Sequence, residues 1–256
     1  MSSSELLQFA ENLARRAGEH TLKYFTTEIA VELKADESPV TIADRETEAL
    51  IREAVEREFP EHGILGEEQG TTRPEAEFQW IIDPIDGTKS FIRGVPLYGV
   101  MIALEEQGRS RLGVVYHPAQ DLMISAEVRC GTHLNGRRVR VRDARSAAEA
   151  CILASDFTQL LRERLSFYRS LSSAFPLQRT WGDCYGYTLV ASGRAQAMLD
   201  PEMNRWDLAA VKPIIEEAGG VFTDLNGVNT ASGTSCLAAT PKVHEQILRM
   251  LSIEDV

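Results

Sequence analysis

Two aspartates follow a short apolar run in the first half of the chain. The run is Trp80-Ile81-Ile82, and Asp83 and Asp86 come directly after it, separated by Pro84-Ile85. A short apolar run that ends in turn residues predicts a buried strand. Carboxylates this close repel each other, and a cation between them is the simplest way to keep both ionised near neutral pH. The stretch therefore predicts a cation site at a strand end.

The residues that follow, Gly87 and Thr88, are typical of the entry to a helix. Free backbone N–H groups and the positive end of the helix dipole favour an anion at such a point. Metal and phosphate would then meet at one place. The alternative is that Asp83 and Asp86 only cap a helix, since Asp-Gly is also an ordinary turn signal.

Further acidic residues stand at the ends of other predicted elements. Glu67 and Glu68 follow a short apolar strand, Asp207 lies at a helix start, and Asp44 comes three residues after Thr41. Each has a plainer explanation: adjacent glutamates are usually solvated, Asp207 is a helix cap or an N-terminal charge, and Asp44 closes a capping box. Taken together, an all-oxygen set of ligands with phosphate as a co-ligand selects Mg²⁺.

Other classes of active site find no support in the sequence. The five histidines are isolated and form no His-x-x-x-His pair, which argues against a histidine-based metal site. There is no Gly-x-Ser-x-Gly elbow and no glycine-rich nucleotide loop. The sequence therefore disfavours a serine hydrolase and nucleotide-driven phosphoryl transfer.

Amino-acid composition limits which classes of partner and which cellular compartment are expected. The 256 residues are 43% hydrophobic, with a net charge of −11, which argues against nucleic acid or an anionic membrane as a partner. The four cysteines are scattered without paired-thiol spacing, so a reducing cytoplasm is expected. The first residues do not resemble a secretory signal, and no apolar run is long enough for a bilayer.

The predicted elements divide the chain into two packed halves, residues 1–145 and 146–256. The first half is predicted as an antiparallel sheet flanked by two early helices, one from Ser4 to about Phe25 and one from Thr41 onwards. On the second of these helices, the periodicity places Glu48 and Arg52 outward. The second half alternates strands and helices, with helices predicted over 158–173, 183–192, 206–218 and 241–251. This alternation is typical of an α/β fold with covered sheet faces.

Three separated motifs, in order along the chain, make it resemble the inositol monophosphatase family of Mg²⁺-dependent phosphomonoesterases. They are Gly66-Glu67-Glu68, the stretch from Trp80 to Thr88, and Trp206-Asp207-Leu208-Ala209-Ala210 with Glu217-Ala218-Gly219-Gly220 downstream. Lys34 and Asp44 also fall where the family has a basic and an acidic residue around the site. The resemblance implies an α/β/α/β/α sandwich, assembled as a homodimer, with two or three Mg²⁺ ions per site.

The resemblance also implies roles for single residues. The first ion would be held by Glu67, Asp83 and the Ile85 carbonyl, and the second by Asp83, Asp86 and Asp207. A third, weaker ion would depend on Glu67 and solvent. Thr88 paired with Asp44 would orient the attacking water and take its proton, with Glu67 and Asp86 also in the catalytic set. Gly87, Thr88 and Lys34 would bind the phosphate ester, and Glu68 would support the ligands from behind.

The predicted substrate rests on a less specific resemblance. The stretch from Trp181 to Tyr187 resembles the Gly-Asp-Cys-Tyr-Gly-Tyr segment of the histidinol-phosphate phosphatase branch, as does Phe91 to Gly99. Asp183, with Asp200 as a second acceptor, would pair with the cationic alcohol. L-histidinol phosphate, an intermediate of histidine biosynthesis, is the expected substrate. The alternatives are inositol monophosphate or another sugar phosphate, a catalytically silent phosphate-binding module, and, for Asp183, a simple helix cap.

Overall fold

The computed structural model describes residues 3–33 and 39–252. Within these ranges, the helices run as follows: α1 Ser3–Thr21, α2 Ile42–Glu58, α3 Thr88–Phe91, α4 Phe157–Glu163, α5 Leu165–Ala174, α6 Asp183–Ala191, α7 Arg205–Ala209, α8 Val211–Glu217 and α9 Pro241–Ser252. The strands are β1 Val31–Leu33, β2 Pro39–Thr41, β3 Gly63–Gly66, β4 Gly70–Thr72, β5 Phe78–Asp86, β6 Gly99–Glu106, β7 Arg109–His117, β8 Leu122–Glu127, β9 Gly131–Leu134, β10 Arg137–Val139, β11 Cys151–Leu153, β12 Leu177–Arg179, β13 Ala197–Asp200, β14 Val221–Thr223 and β15 Cys236–Ala239.

Two large sheets carry the fold. The first has eight strands in the order β10-β9-β8-β7-β6-β5-β3-β4, and the second has five in the order β12-β11-β13-β15-β14. The first sheet is antiparallel, as predicted, except that β3 lies parallel to β5. The second sheet is mixed, because β11 runs parallel to both of its neighbours. The parallel pair of β3 and β5 brings the carboxyl ends of these two strands to one edge.

Three layers of helices enclose the two sheets. Apolar side chains of α1 and α2, such as Leu13 and Val55, pack against one face of the first sheet. Between the sheets lie α6, α7 and α8, whose residues share one core with both of them. The far face of the second sheet is covered by α5 and α9 through Phe167 and Ile247. Apolar burial on both faces of each sheet confirms the predicted α/β/α/β/α sandwich.

The structure corrects two of the predicted helices. The helix predicted over 158–173 is two helices, α4 and α5, which meet at Arg164 in a non-helical conformation. The helix predicted over 206–218 is also divided, between α7 and α8 at Ala210. Pro213 explains the second break, because it has no N–H to donate to the carbonyl of Ala209. The division places Asp207 in the first turns of a short helix of its own.

The two predicted halves correspond to residues on either side of the segment between β10 and β11. One core cluster contains side chains of both sheets, for example Val115 and Met198. The boundary at residues 145 and 146 therefore stays a prediction about the organisation of the chain. Among the described helices, none has the length and apolar character needed to cross a bilayer.

Candidate active site

The parallel pairing of β3 and β5 places Glu67 next to Asp83. Gly66 lies opposite Ile82 in the register, and the backbone N–H of Glu67 donates to the carbonyl of Ile82 at 3.2 Å. β3 and its pairing with β5 end there, and the next residue along each chain segment is an acid, so Glu67 and Asp83 lie at the same edge of the sheet. The sequence predicts acids at the ends of these strands. The pairing of the strands explains why the acids lie next to each other.

Three carboxylates converge at this edge. Asp83, Asp86 and Asp207 each offer one oxygen, and these oxygens lie within 4.8 Å of one another. Asp83 and Asp86 lie on β5, where the register with β6 is irregular between them. Asp207 comes from α7 in the central layer. The structure thus brings together residues that are more than 120 positions apart in the sequence.

A backbone N–H fixes each of the three carboxylates. Oδ1 of Asp83 accepts from Ile85 N at 3.0 Å, and Oδ2 of Asp86 accepts from Cys184 N at 2.5 Å. Oδ2 of Asp207 accepts from Asn204 N at 2.6 Å and completes a capping box. The capping explanation of Asp207 and its place in the cluster are therefore both correct. One oxygen of each carboxylate is thus held by the main chain.

Burial and mutual repulsion raise the pKa of these acids. Loss of solvent is the main cause of the raised pKa of Asp83 and of Asp86, and the neighbouring carboxylates add to it. The pKa of Asp207 rises to about 7, chiefly because burial disfavours its charged form. One buried and two half-buried acids this close together are electrostatically unfavourable without a balancing cation. A cation among them would relieve this.

The donor set fits a hard divalent cation. All the ligands offered are carboxylate oxygens, and within residues 3–33 and 39–252 no histidine or cysteine joins the group of three acids. Oxygen-only ligation is what Mg²⁺ prefers, and Mg²⁺ commonly completes its coordination with water and substrate phosphate. The chemistry of the residues present therefore fits the metal implied by the resemblance.

Gly87 turns the chain away from the cluster at a position where only glycine fits. Its φ is +84°, and a Cβ would lie 2.9 Å from the Leu97 carbonyl oxygen and 3.1 Å from Oδ2 of Asp183. It is the N-cap of α3, which has only four residues. Thr88 follows and its hydroxyl donates to the Ile85 carbonyl at 3.0 Å. Both residues line a cavity of about 470 Å³ together with Glu67.

The predicted pairing of Thr88 with Asp44 is wrong for this structure. Oδ2 of Asp44 accepts from the backbone N–H of Thr41 at 2.8 Å and from its hydroxyl at 2.6 Å. This is the capping box of α2, which was the alternative explanation. The hydroxyl of Thr88 is directed to Ile85 instead. Asp44 still lies close enough to Glu67 for that carboxylate to contribute to its raised pKa, after the larger effect of burial.

A second cavity, of about 540 Å³, adjoins the first and shares five lining residues with it. These shared residues are Lys89, Ser155, Asp156, Asp183 and Asp207. The two cavities form one cleft, which we call the active-site cleft. Asp86 and Asp207 of the acidic cluster line it, and the cleft has room for a small phosphate ester.

Asp183 lines the active-site cleft, as predicted. It lies in the left-handed region with a φ of +52°, and its backbone N–H donates to Oγ of Ser155 at 2.9 Å. The N-cap of α6 is Gly182, which makes no side-chain capping bond, so the capping alternative for Asp183 is wrong. Burial is the main cause that raises its pKa to about 6. It is therefore largely ionised at neutral pH.

Asp200 is a poor candidate for the second acceptor. It is 3% exposed, and its two oxygens accept from Ser155 N and from the hydroxyl of Tyr187, each at 2.8 Å. Both oxygens are therefore already used in supporting the cleft wall. Glu202 is exposed on the same wall and was not singled out from the sequence. Lys34, the predicted basic residue of the site, lies outside the described residues.

Comparison with known proteins agrees with this geometry. The family model described as "Inositol monophosphatase family" matches residues 2–254. This chain belongs to the inositol monophosphatase family. A histidinol-phosphatase of Chlorobaculum parvum is 43% identical to it, covering 91% of this chain and 95% of the relative. A histidinol-phosphatase of Mycobacterium tuberculosis is 36% identical, covering 98% and 99%. The structure of an inositol monophosphatase from Zymomonas mobilis superposes with a TM-score of 0.87 at 30% identity, covering 98% and 99%.

Membership of this family makes the chain a phosphoric monoester hydrolase that acts on a small-molecule phosphate ester. This confirms the predicted enzyme class over the alternative of a catalytically silent module. The family resemblance noted in the sequence is likewise confirmed.

The phosphatase fold encloses one fully buried histidine behind the site. Nδ1 of His117 lies 3.0 Å from the Tyr98 carbonyl oxygen and Nε2 lies 2.9 Å from the Thr188 hydroxyl. A carbonyl can only accept, so Nδ1 carries the proton and Nε2 accepts from Thr188. Burial lowers the pKa of His117 from 6.5 to about 4.

This histidine predicts an acid-sensitive contribution to stability. Between pH 6.5 and about 4, the unfolded chain binds a proton at His117 that the folded protein does not. The contribution is therefore complete above pH 6.5 and is lost as the pH falls, up to about 3 kcal/mol of unfolding free energy. We expect His117→Asn to be less stable at pH 7 but to lose less stability on acidification. Urea unfolding of the native protein and of His117→Asn in EDTA, across this pH range, measures the free energy of unfolding of each. Parallel pH profiles of the two free energies would contradict the prediction.

Proposed function

We propose that this enzyme is a Mg²⁺-dependent histidinol-phosphatase, which hydrolyses L-histidinol phosphate to L-histidinol and phosphate in histidine biosynthesis. The observation that carries the proposal is the acidic wall of the active-site cleft, where Asp183 and Glu202 line the cavity that adjoins the carboxylate cluster. Histidinol carries an ammonium group and an imidazole, and an anionic pocket favours such a cation. The two relatives named histidinol-phosphatase support the same substrate.

The cleft offers complementary groups to the two ends of this substrate. Lys89 is exposed and lines both cavities next to Gly87 and Thr88. Its ammonium group can pair with a phosphate oxygen, as lysines do in other phosphate sites. Glu202 lines the larger cavity and Asp183 lines both, and their carboxylates suit the cationic part. We infer that the phosphate lies over Gly87 and Thr88 and that the amino alcohol points toward α4 and the loop before α7.

The chain itself supplies ligands, orientation and a base. Glu67, Asp83, Asp86 and Asp207 would hold Mg²⁺, and the ion would supply charge neutralisation of phosphate oxygens, a lowered pKa of water and stabilisation of the leaving alkoxide. The Thr88 hydroxyl donates to Ile85 and so presents its lone pairs to the cavity, where they can orient the attacking water. Glu67 lines the same cavity and can take the proton from that water. Burial of Asp44 beside Glu67 excludes solvent behind this base.

A phosphate-release assay tests the substrate. The panel contains L-histidinol phosphate, inositol 1-phosphate and a set of nucleotides, each with MgCl₂ and each with EDTA. We expect the highest kcat/KM with L-histidinol phosphate and no turnover in EDTA. An equal or higher kcat/KM with inositol 1-phosphate would overturn the substrate assignment, and undiminished turnover in EDTA would overturn the metal.

Metal binding should also be visible without substrate. Because Mg²⁺ would relieve the repulsion among Asp83, Asp86 and Asp207, we expect MgCl₂ to raise the melting temperature. At about 100 times the dissociation constant the gain is about 2.7 kcal/mol, which corresponds to a shift of about 5–10 °C for a protein of this size. Differential scanning calorimetry with MgCl₂, and with KCl at matched ionic strength, measures the shift. Equal melting temperatures in the two salts would contradict the proposed cofactor.

Inositol monophosphatase activity is the second candidate. The cleft also presents neutral hydrogen-bonding groups on Ser155, Gln159 and Asn204, which suit the hydroxyls of a polyol. The likeness to the Zymomonas mobilis enzyme supports this alternative. The same substrate panel separates the two, since a polyol phosphatase would not prefer the cationic ester.

The proposal also includes the oligomeric state, the cellular location and the absence of a nucleic-acid partner. A homodimer is inferred from the family resemblance, and light scattering after size exclusion tests it. A cytoplasmic location is inferred from the four cysteines, all of which are free thiols in the structure, three of them buried. We propose no nucleic-acid partner, on the basis of the net charge of −11.

A further inference from the structure

The sequence pattern places Glu48 and Arg52 on the outer face of α2, and the structure shows that this is wrong. Glu48 is 0% exposed and Arg52 is 6% exposed. Nε of Arg52 donates to Oε1 of Glu48 at 2.7 Å, one helical turn along. A buried ion pair of this kind is costly to desolvate and is retained only where further hydrogen bonds complete it. The partners of Glu48 therefore indicate what the pair is for.

Glu48 binds the backbone on the far side of Glu67. Oε2 of Glu48 accepts from the N–H of Glu68 at 2.7 Å, and Oε1 accepts from the N–H of Gln69 at 3.0 Å. Nη2 of Arg52 donates to the carbonyl of Gly70. The turn from Glu67 to Gly70, which joins β3 to β4, is thus bound from α2 at three consecutive residues.

Gly66, which precedes Glu67 in the chain, also packs against Glu48. A Cβ at Gly66 would overlap the carboxylate of Glu48, so the strand backbone lies directly against that group. The N–H of Glu67 is itself bound to Ile82 of β5. The backbone at Glu67 is therefore fixed on one side by the sheet and on the other by Glu48, which sets the direction in which its side chain leaves the main chain.

We propose that Glu48, supported by Arg52, is a positioning residue that holds Glu67 in the geometry needed to bind Mg²⁺. The inference rests on the proposed function, in which Glu67 is a ligand. The same helix carries Asp44 one turn earlier, so α2 places one acid beside Glu67 and another behind its backbone. Outer groups that orient ligands typically change metal affinity by about 10-fold to 100-fold when they are removed.

The test is Glu48→Gln, with metal binding as the main readout. The amide keeps the shape, but its NH₂ group would face the N–H of Glu68 or Gln69, and Arg52 would lose its counter-charge. We expect the dissociation constant of MgCl₂, measured by calorimetry without substrate, to rise about 10-fold or more. The MgCl₂ concentration for half-maximal phosphate release should rise in parallel, while kcat at saturating MgCl₂ should fall by a smaller factor, because Glu67 is also the proposed base. A merely structural role would not give this split.

A matched control uses Glu217, which binds a different turn in the same way. Its carboxylate accepts from Arg129 N at 2.8 Å and Gly131 N at 2.9 Å, in the turn between β8 and β9. Glu217→Gln should leave Mg²⁺ affinity unchanged. Equal weakening in this control, or a folded Glu48→Gln that binds MgCl₂ as the native protein does, would overturn the inference.

A second variant keeps the test decisive if Glu48→Gln does not fold. Arg52→Lys retains the positive charge beside Glu48 but loses the planar fork that also reaches Gly70. We expect a smaller rise in the same dissociation constant, and native affinity in Arg52→Lys would then overturn the inference. Absence of Mg²⁺ binding by the native protein would instead overturn the proposed function itself.

Discussion

Replacement of Asp86 by asparagine is expected to remove phosphatase activity and leave the fold intact. Asparagine keeps an oxygen that can accept from Cys184 N, so the contact between β5 and α6 survives. It removes one negative charge from the group of Asp83, Asp86 and Asp207. Metal ions contribute several kcal/mol to the transition state of such reactions, and each 1.36 kcal/mol is tenfold in rate. We therefore expect kcat/KM to fall by about 10³-fold or more.

Two measurements separate this loss from unfolding. In EDTA, the melting temperature of Asp86→Asn should equal or exceed that of the native protein, because one buried and repelled charge is gone. The stabilisation by MgCl₂ should be reduced or absent. Asp224→Asn is the control, since Asp224 accepts from the N–H groups of Asn226 and Val228 in a turn and lines neither cavity of the cleft. A variant at Asp86 that keeps most of its Mg²⁺-dependent turnover would show that the assignment of this ligand is wrong.

Replacement of Asp183 by asparagine is expected to change substrate preference. Hydrogen bonds to charged groups contribute about 1.5–3 kcal/mol, so losing the carboxylate should lower kcat/KM for L-histidinol phosphate by about 10-fold to 100-fold. Inositol 1-phosphate has no cation, and its kcat/KM should fall less. The ratio of the two kcat/KM values is the measurement, because any general effect on the nearby metal site cancels in it.

Asp200→Asn provides the contrast on the same wall. The Asp200 carboxylate is buried and bound to Tyr187 and Ser155, so this variant should lower stability and both activities together. A change in the substrate ratio at Asp200 but not at Asp183 would reverse the roles argued for these two residues. An unchanged ratio in both variants would place recognition of the cation elsewhere, with Glu202 next to be tested.

The strand that carries Asp83 and Asp86 could be predicted because its signal is local. An apolar run followed by acids, proline and glycine shows both the strand and its end. The convergence of Glu67 with Asp83 could not be derived from local pattern, because it depends on β3 pairing in parallel with β5. The hydrophobic alternation of a strand does not state which neighbour it pairs with or in which direction. The family resemblance supplied that information instead.

Glu48 is a residue whose exposure is predicted wrongly by helical periodicity. Charged residues on a helix are assigned to the solvent side, because burying a charge without partners is unfavourable. Here the partners are backbone N–H groups of a distant turn, which leave no trace in the sequence of α2. Asp44 was equally ambiguous, since a capping residue and a site residue share the same sequence pattern. Tertiary contacts decide the role of Glu48, whereas a local capping box engages the Asp44 carboxylate.

The anchoring of the acidic cluster by main-chain N–H groups has a consequence for how this enzyme can diversify. Asp83, Asp86 and Asp207 are oriented by peptide groups, which remain whatever side chains Cys184 and Asn204 carry. The residues proposed to face the alcohol, Gln159, Asp183 and Glu202, contribute side chains, and these side chains make none of the three hydrogen bonds that orient the cluster. Hydrolysis and selectivity are thus mutationally separable. A lineage can exchange one alcohol for another through point changes along the cleft wall while the phosphate-cleaving centre is inherited unaltered.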